Sequence, residues 1–154
     1  MLDALAASPI AALLRGSGTA YLLVNASHIL GIALLIGAIL PLDLRLAGAF
    51  PRTPLSAIAP LLRVMALAGL SLAVVTGFVL FTANPGEYAT NPAFRIKLLL
   101  LALAVLNAAL VTRSSAWAQV LSGAPPPPAL RLMAAASALL WLSVLLAGRW
   151  IGFL

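Results

Sequence analysis

The chain has one histidine, His28, and it lies inside the apolar run LLVNASHILGIALL at positions 22–35. An imidazole can exchange a proton near neutral pH, hydrogen-bond, or give a nitrogen lone pair to a metal. Tyr21 and Asn25 precede it at helical spacing, so Tyr21, Asn25 and His28 share one polar stripe on a helix. Further along stand Lys97, near the start of a second apolar run, and Arg149, near the end of another. Glu87 and Tyr88 lie between such runs.

These residue types narrow the chemistry. With no cysteine, the chain has no disulfide, thiolate metal site, iron–sulfur cluster or thiol nucleophile. One histidine is too few for a structural zinc site. Soft copper would want more sulfur than the three methionines supply. Haem iron differs, because a single histidine can hold it, with a second axial ligand or none. On this reading His28 is the metal ligand of a haem b, Lys97 is a second ligand or a partner of the propionates, and Arg149 is another propionate partner. Tyr21 and Asn25 complete the site. No serine, cysteine or paired-carboxylate catalytic constellation is present, and no glycine-rich phosphate loop.

The elements that position these residues follow from composition. The 154 residues are 64% hydrophobic and 8% charged, far outside the range of soluble domains. This predicts an all-α integral membrane four-helix bundle that forms a single domain over residues 1–154. The expected spans are 19–39, 64–82, 94–111 and 130–153, each long enough for a hydrocarbon core of ~30 Å. His28 then lies roughly 13 Å along the first span, too deep for its side chain to reach the headgroups.

The first span is expected to stop at Pro41, with Asp43 and Arg45 marking its far end. The connection up to Arg63 should be broken into short pieces by Pro51, Pro54 and Pro60. Gly69, Ala73 and Gly77 recur at intervals of four, a spacing that lets helix backbones approach closely in lipid. ANPGEYATNPAF reads as a loop, Pro125 to Pro128 as a stiff spacer, and Asn107 as an interhelical hydrogen bond. Arg95 and Lys97, two positions apart, should point to opposite faces. Residues 2–15 are expected to form a short interfacial helix ended by Gly16 and Gly18. This segment has Asp3 and no basic leading region, so a cleaved signal peptide is not expected.

The net charge of +6 comes from basic residues scattered singly at the ends of apolar runs, which points to lipid headgroups and not to nucleic acid. Arg15, Arg95, Lys97 and Arg149 fall on one side of the membrane, and Arg45, Arg52, Arg63, Arg113 and Arg131 on the other. The excess places the termini outside the cytoplasm of a bacterial inner membrane. Two other roles remain open on the residues alone. One is an accessory subunit that docks other membrane subunits, or a second copy, through its small-residue face. The other is a permease for copper or a small solute.

ASHILGIALLIGAILPLDLRL resembles the first-helix signature of a set of small bacterial four-helix membrane proteins. The shared features are an Ala-x-His-Ile start, a glycine about nine residues on, and Pro and Arg at the close. NPAFRIKLLLLALAVLNAAL is similar to their third helix, with an aromatic-x-x-Lys start and a later Asn. The set includes CopD-like copper-resistance membrane domains, HemJ-type protoporphyrinogen oxidases, and branches of unassigned function, which this chain resembles most. The HemJ likeness implies haem b and a role for His28 and Lys97, whereas the CopD likeness implies copper movement.

Overall fold

A computed structural model describes residues 2–153, and its architecture is all-α. Two short helices, α1 (Leu2–Ala6) and α2 (Pro9–Gly16), precede the long α3 (Gly18–Ala47) and α4 (Leu55–Ala83). A short α5 (Pro85–Thr90) leads into α6 (Pro92–Arg113), and α7 (Ser115–Leu121) precedes α8 (Pro128–Trp150) and a final 3₁₀ turn, Ile151–Phe153. The four helices α3, α4, α6 and α8 are long and apolar enough to cross a membrane, which makes this a multi-pass membrane protein. We call the end that carries α1 and the 3₁₀ turn the near end.

Each junction has a local cause. Ser17 ends α2 and caps α3, its hydroxyl accepting from the Ala20 N–H at 3.2 Å. The α2 face bearing Ala11 and Leu14 is buried, and the helix packs across α4 and α3. Arg15 fastens it by donating to the carbonyls of Ala83, at the end of α4, and Ala6. Asn91 caps α6 by accepting from the Phe94 N–H at 3.2 Å, and its Nδ2 donates to Ile151 O at 3.4 Å. That second bond ties the start of α6 to the end of α8.

Several boundaries differ from the sequence expectation. Helix α3 does not stop at Pro41 but runs through it to Ala47, and ends at Gly48 in the left-handed region at φ 118°. Likewise α4 begins at Leu55 and carries Pro60 inside it. A proline removes one backbone donor, and neighbouring helices can still hold the chain helical at membrane depth. The broken connection expected up to Arg63 is therefore only residues 48–54. The expected single helix over 2–15 is two, interrupted where Ser8 caps α2. ANPGEYATNPAF contains the short α5, and α7 precedes the prolines. Pro127 has the extended φ −68° and ψ 159° of a stiff spacer, while Pro128 opens α8 as its first residue.

Helix α3 packs most extensively on α4 and also on α8, and α6 packs on α8, whereas α4 and α6 approach only sparsely. At the α3–α4 crossing, a Cβ on Gly31 would stand 2.7 Å from Ala73 N, and one on Gly69 would stand 2.5 Å from Leu35 N. Only glycine lets the backbones come this close. The buried apolar side chains form two clusters. One fills the far end around Leu42, Leu46, Leu55, Trp117, Val120 and Leu130, and the other fills the middle around Leu35, Ala38, Ala66, Ala104 and Trp141.

Candidate functional site

Between the middle and the near end, the space among the helices holds polar groups in place of an apolar cluster. His28, on the third turn of α3, directs its Nδ1 to Thr76 Oγ1 on α4 at 3.0 Å. The threonine hydroxyl in turn bonds the Leu72 carbonyl of its own helix at 2.6 Å. Its one proton is thereby committed to Leu72, so Oγ1 accepts from the imidazole, whose Nδ1 carries the hydrogen. Nε2 is then left with its lone pair, the arrangement by which an outer hydrogen bond fixes the tautomer of a ligating histidine.

The ring is seated over a glycine. A Cβ at Gly77 would lie 3.0 Å from His28 Cε1 and 3.5 Å from Nδ1. Lys97 has a matching seat on the opposite helix pair, its Cε and Nζ each 3.4 Å from where a Cβ of Gly148 would stand. The Asn91 to Ile151 bond holds α6 and α8 in the register that puts Lys97 beside Gly148. Lys97 lies close enough for its charge to act on the His28 ring. The two residues that the sequence singled out first are thus carried near each other by different helix pairs, each set against a glycine of its neighbouring helix.

The other sequence candidates lie further out. Asn25 is half-buried one turn nearer the end, and Tyr21 is 40% exposed at the mouth. The Tyr21 hydroxyl faces Tyr88, whose ring packs against Phe81 and Phe94 at centroid distances of 6.1 and 5.6 Å. Burial, and then the neighbouring Tyr21 and Glu87, pushes the Tyr88 phenol above its usual pKa. Arg149 is exposed and lies over the Phe153 ring at 4.8 Å, at the rim of the same end. Arg95 is exposed and bonds the Ala89 carbonyl, on the face away from Lys97, as their spacing requires. Asn107 donates to the Met133 carbonyl at 3.1 Å, the interhelical bond expected of it.

Nothing in the sequence pointed to Thr76 or Gly148, and Gly77 was legible only as helix packing. Sequence reasoning also misplaced Asp43, which does not mark a helix end at the interface. Because α3 continues past it, Asp43 is only 5% exposed, faces Ser137 of α8, and keeps Oδ2 without a hydrogen-bond partner.

The described residues contain no group of three or more His, Cys, Asp or Glu side chains able to hold a metal ion. A group that brings its own equatorial ligands and asks the protein for one imidazole fits this donor set.

Fold and site define a four-span membrane bundle with a deep imidazole positioned by a neighbouring helix. The chain belongs to a family of unknown function, DUF6644, whose model matches residues 9–154. Comparison with curated proteins and with solved structures finds no match.

Proposed function

We propose that this protein binds haem b between its helices and serves a redox role in a bacterial inner membrane. The observation that carries this reading is the chain His28 Nδ1–H to Thr76 to Leu72, which leaves Nε2 as a fixed lone-pair donor inside the bundle. Haem, when bound, supplies one-electron chemistry at its iron. The protein's part is to present Nε2 as axial ligand, to set its basicity through Thr76, and to bring the Lys97 ammonium to the same space. Lys97 then serves as second ligand or as partner of a propionate, and Arg149 meets a propionate at the rim. Tyr21 and Asn25 line the approach.

A membrane orientation accompanies this reading. With Lys97 packed against Gly148 and committed to the site, it ceases to count as a topology marker, and the five arginines of the far end outweigh Arg15, Arg95 and Arg149. The termini then lie outside the cytoplasm. The small-residue stripe serves packing inside this bundle, since Gly69 and Ala73 face Gly31 and Gly77 receives His28.

The test is an absorption spectrum of the detergent-purified protein, before and after haem is supplied. A Soret band that His28→Ala abolishes is expected. No band in the wild type, or an equal band in His28→Ala, would overturn the assignment.

A further inference from the structure

The far end carries a second candidate site, unrelated to the histidine. Five arginines lie there, Arg45, Arg52, Arg63, Arg113 and Arg131, and the chain's other acids, Asp3 and Glu87, are at the near end. The one acid of the far half, Asp43, is buried against Ser137 and does not reach the surface where they lie. This end is therefore a positive surface without internal compensation.

Two of the five are gathered into a built cleft. Arg45, in the last turn of α3, and Arg131, in the first turn of α8, line a cleft of about 400 Å³ together with Ser56 and the loop backbone at Gly48 and Gly123. Each guanidinium is anchored by its Nε. Arg45 donates to Thr53 O at 2.6 Å, with Nη2 reaching Pro51 O at 3.3 Å, and Arg131 donates to Pro126 O at 3.0 Å. Carbonyls of two different loops thus orient the two forks, while Nη1 of Arg45 and both Nη of Arg131 have no protein acceptor among the described residues. Oriented arginine forks recognise tetrahedral oxyanions by paired, charge-assisted hydrogen bonds. The position at the ends of membrane helices sets the cleft at headgroup depth, where basic pockets bind anionic lipids.

We propose that the Arg45–Arg131 cleft binds a phosphate-bearing anion, supplied by the headgroup of an anionic phospholipid or by free phosphate. The test uses the full chain in an uncharged detergent, with thermal unfolding followed by tryptophan fluorescence and lipid adducts counted by native mass spectrometry. The probes are phosphatidylglycerol, phosphatidylcholine and inorganic phosphate. A stabilising shift and retained adduct with phosphatidylglycerol but not phosphatidylcholine are expected, with affinity at least about tenfold weaker in the Arg45→Gln/Arg131→Gln double variant. The control Arg52→Gln/Arg113→Gln should bind like the wild type. An equal shift from inorganic phosphate, lost in the same double variant, upholds the site and assigns it to free phosphate. Equal weakening in the control would reduce the effect to diffuse surface charge and overturn the proposal, as would the absence of any shift. Should the double variant fail to fold, the exposed Arg131→Gln alone must still weaken binding, and unchanged affinity there overturns the proposal.

Discussion

At the far end, Trp117, Val120 and Leu46 are 4%, 1% and 2% exposed, and side chains of every long helix meet around them. At the near end, an imidazole, a threonine hydroxyl, an ammonium and two glycines occupy the equivalent space. Both halves use the same four helices and the same lipid, so the difference lies in what stands between the rods. The far half is closed by shape, and small α7 adds Trp117 and Val120 as a plug. The near half packs the rings of Phe81, Tyr88 and Phe94 and the buried face of α2 at its rim, and deeper in, its glycines make hollows that His28 and Lys97 fill. A bundle that needed only stability would continue the apolar packing. The contrast is why the proposed site is assigned to the near half.

Substitutions in the two halves should differ in their cost. Gly69→Val has the largest expected effect, because its side chain would meet the Leu35 backbone, which cannot swing aside. We expect a loss at or beyond the top of the roughly 1–3 kcal/mol typical of overpacking, seen as a collapsed thermal midpoint or aggregation on gel filtration. Trp141→Ala comes next. It removes the largest fully buried side chain from the middle cluster and should cost about 3 kcal/mol, the low end for such truncations, because lipid already solvates the apolar surface of the separated helices. Circular dichroism melts in detergent measure it.

Substitutions in the near half should weigh far less on stability. Thr76→Val keeps the volume and deletes one interhelical hydrogen bond, with an expected cost of about 0.6 kcal/mol. Its larger signature is the loss of the fixed imidazole tautomer, read as weaker haem uptake. A Thr76→Val melt depressed as far as that of Trp141→Ala would erase the distinction between the halves. Smallest of all, although in the far half, is Asp43→Asn, which keeps the shape that faces Ser137 and should leave the melt within about 0.5 kcal/mol of wild type, since no cation partner is lost.

What the sequence revealed follows from how polar groups behave in hydrocarbon. His28, Asn107 and the Arg95/Lys97 pair stood out because polar side chains are costly inside an apolar run; His28, Asn107 and Arg95 find hydrogen-bond partners, and Lys97 packs against Gly148. The four spans were legible for the same reason. Thr76 was not, because a threonine can satisfy itself on its own helix, as Thr112 does with Ala108, and so carries no mark of an outside partner. Gly77 was read as helix packing, which its stripe-mates Gly69 and Ala73 do provide, and only the placement of the imidazole separates it from them. Pro41 and Pro60 looked like stops, since local rules cannot see the neighbouring helices that keep α3 and α4 continuous. That error moved Asp43 from the interior to the surface.

The central claim concerns one ring, and the single histidine makes it directly observable. Protein labelled with ¹⁵N-histidine yields one imidazole in the nuclear magnetic resonance spectrum, and the two nitrogen shifts report which atom carries the proton. The hydrogen-bond chain through Thr76 predicts a neutral ring protonated at Nδ1 with a bare Nε2, and predicts that Thr76→Val loosens this preference. A ring protonated at Nε2 in the wild type would contradict the account, because the lone pair would then be directed at Thr76 and no ligand would face the space beside Lys97.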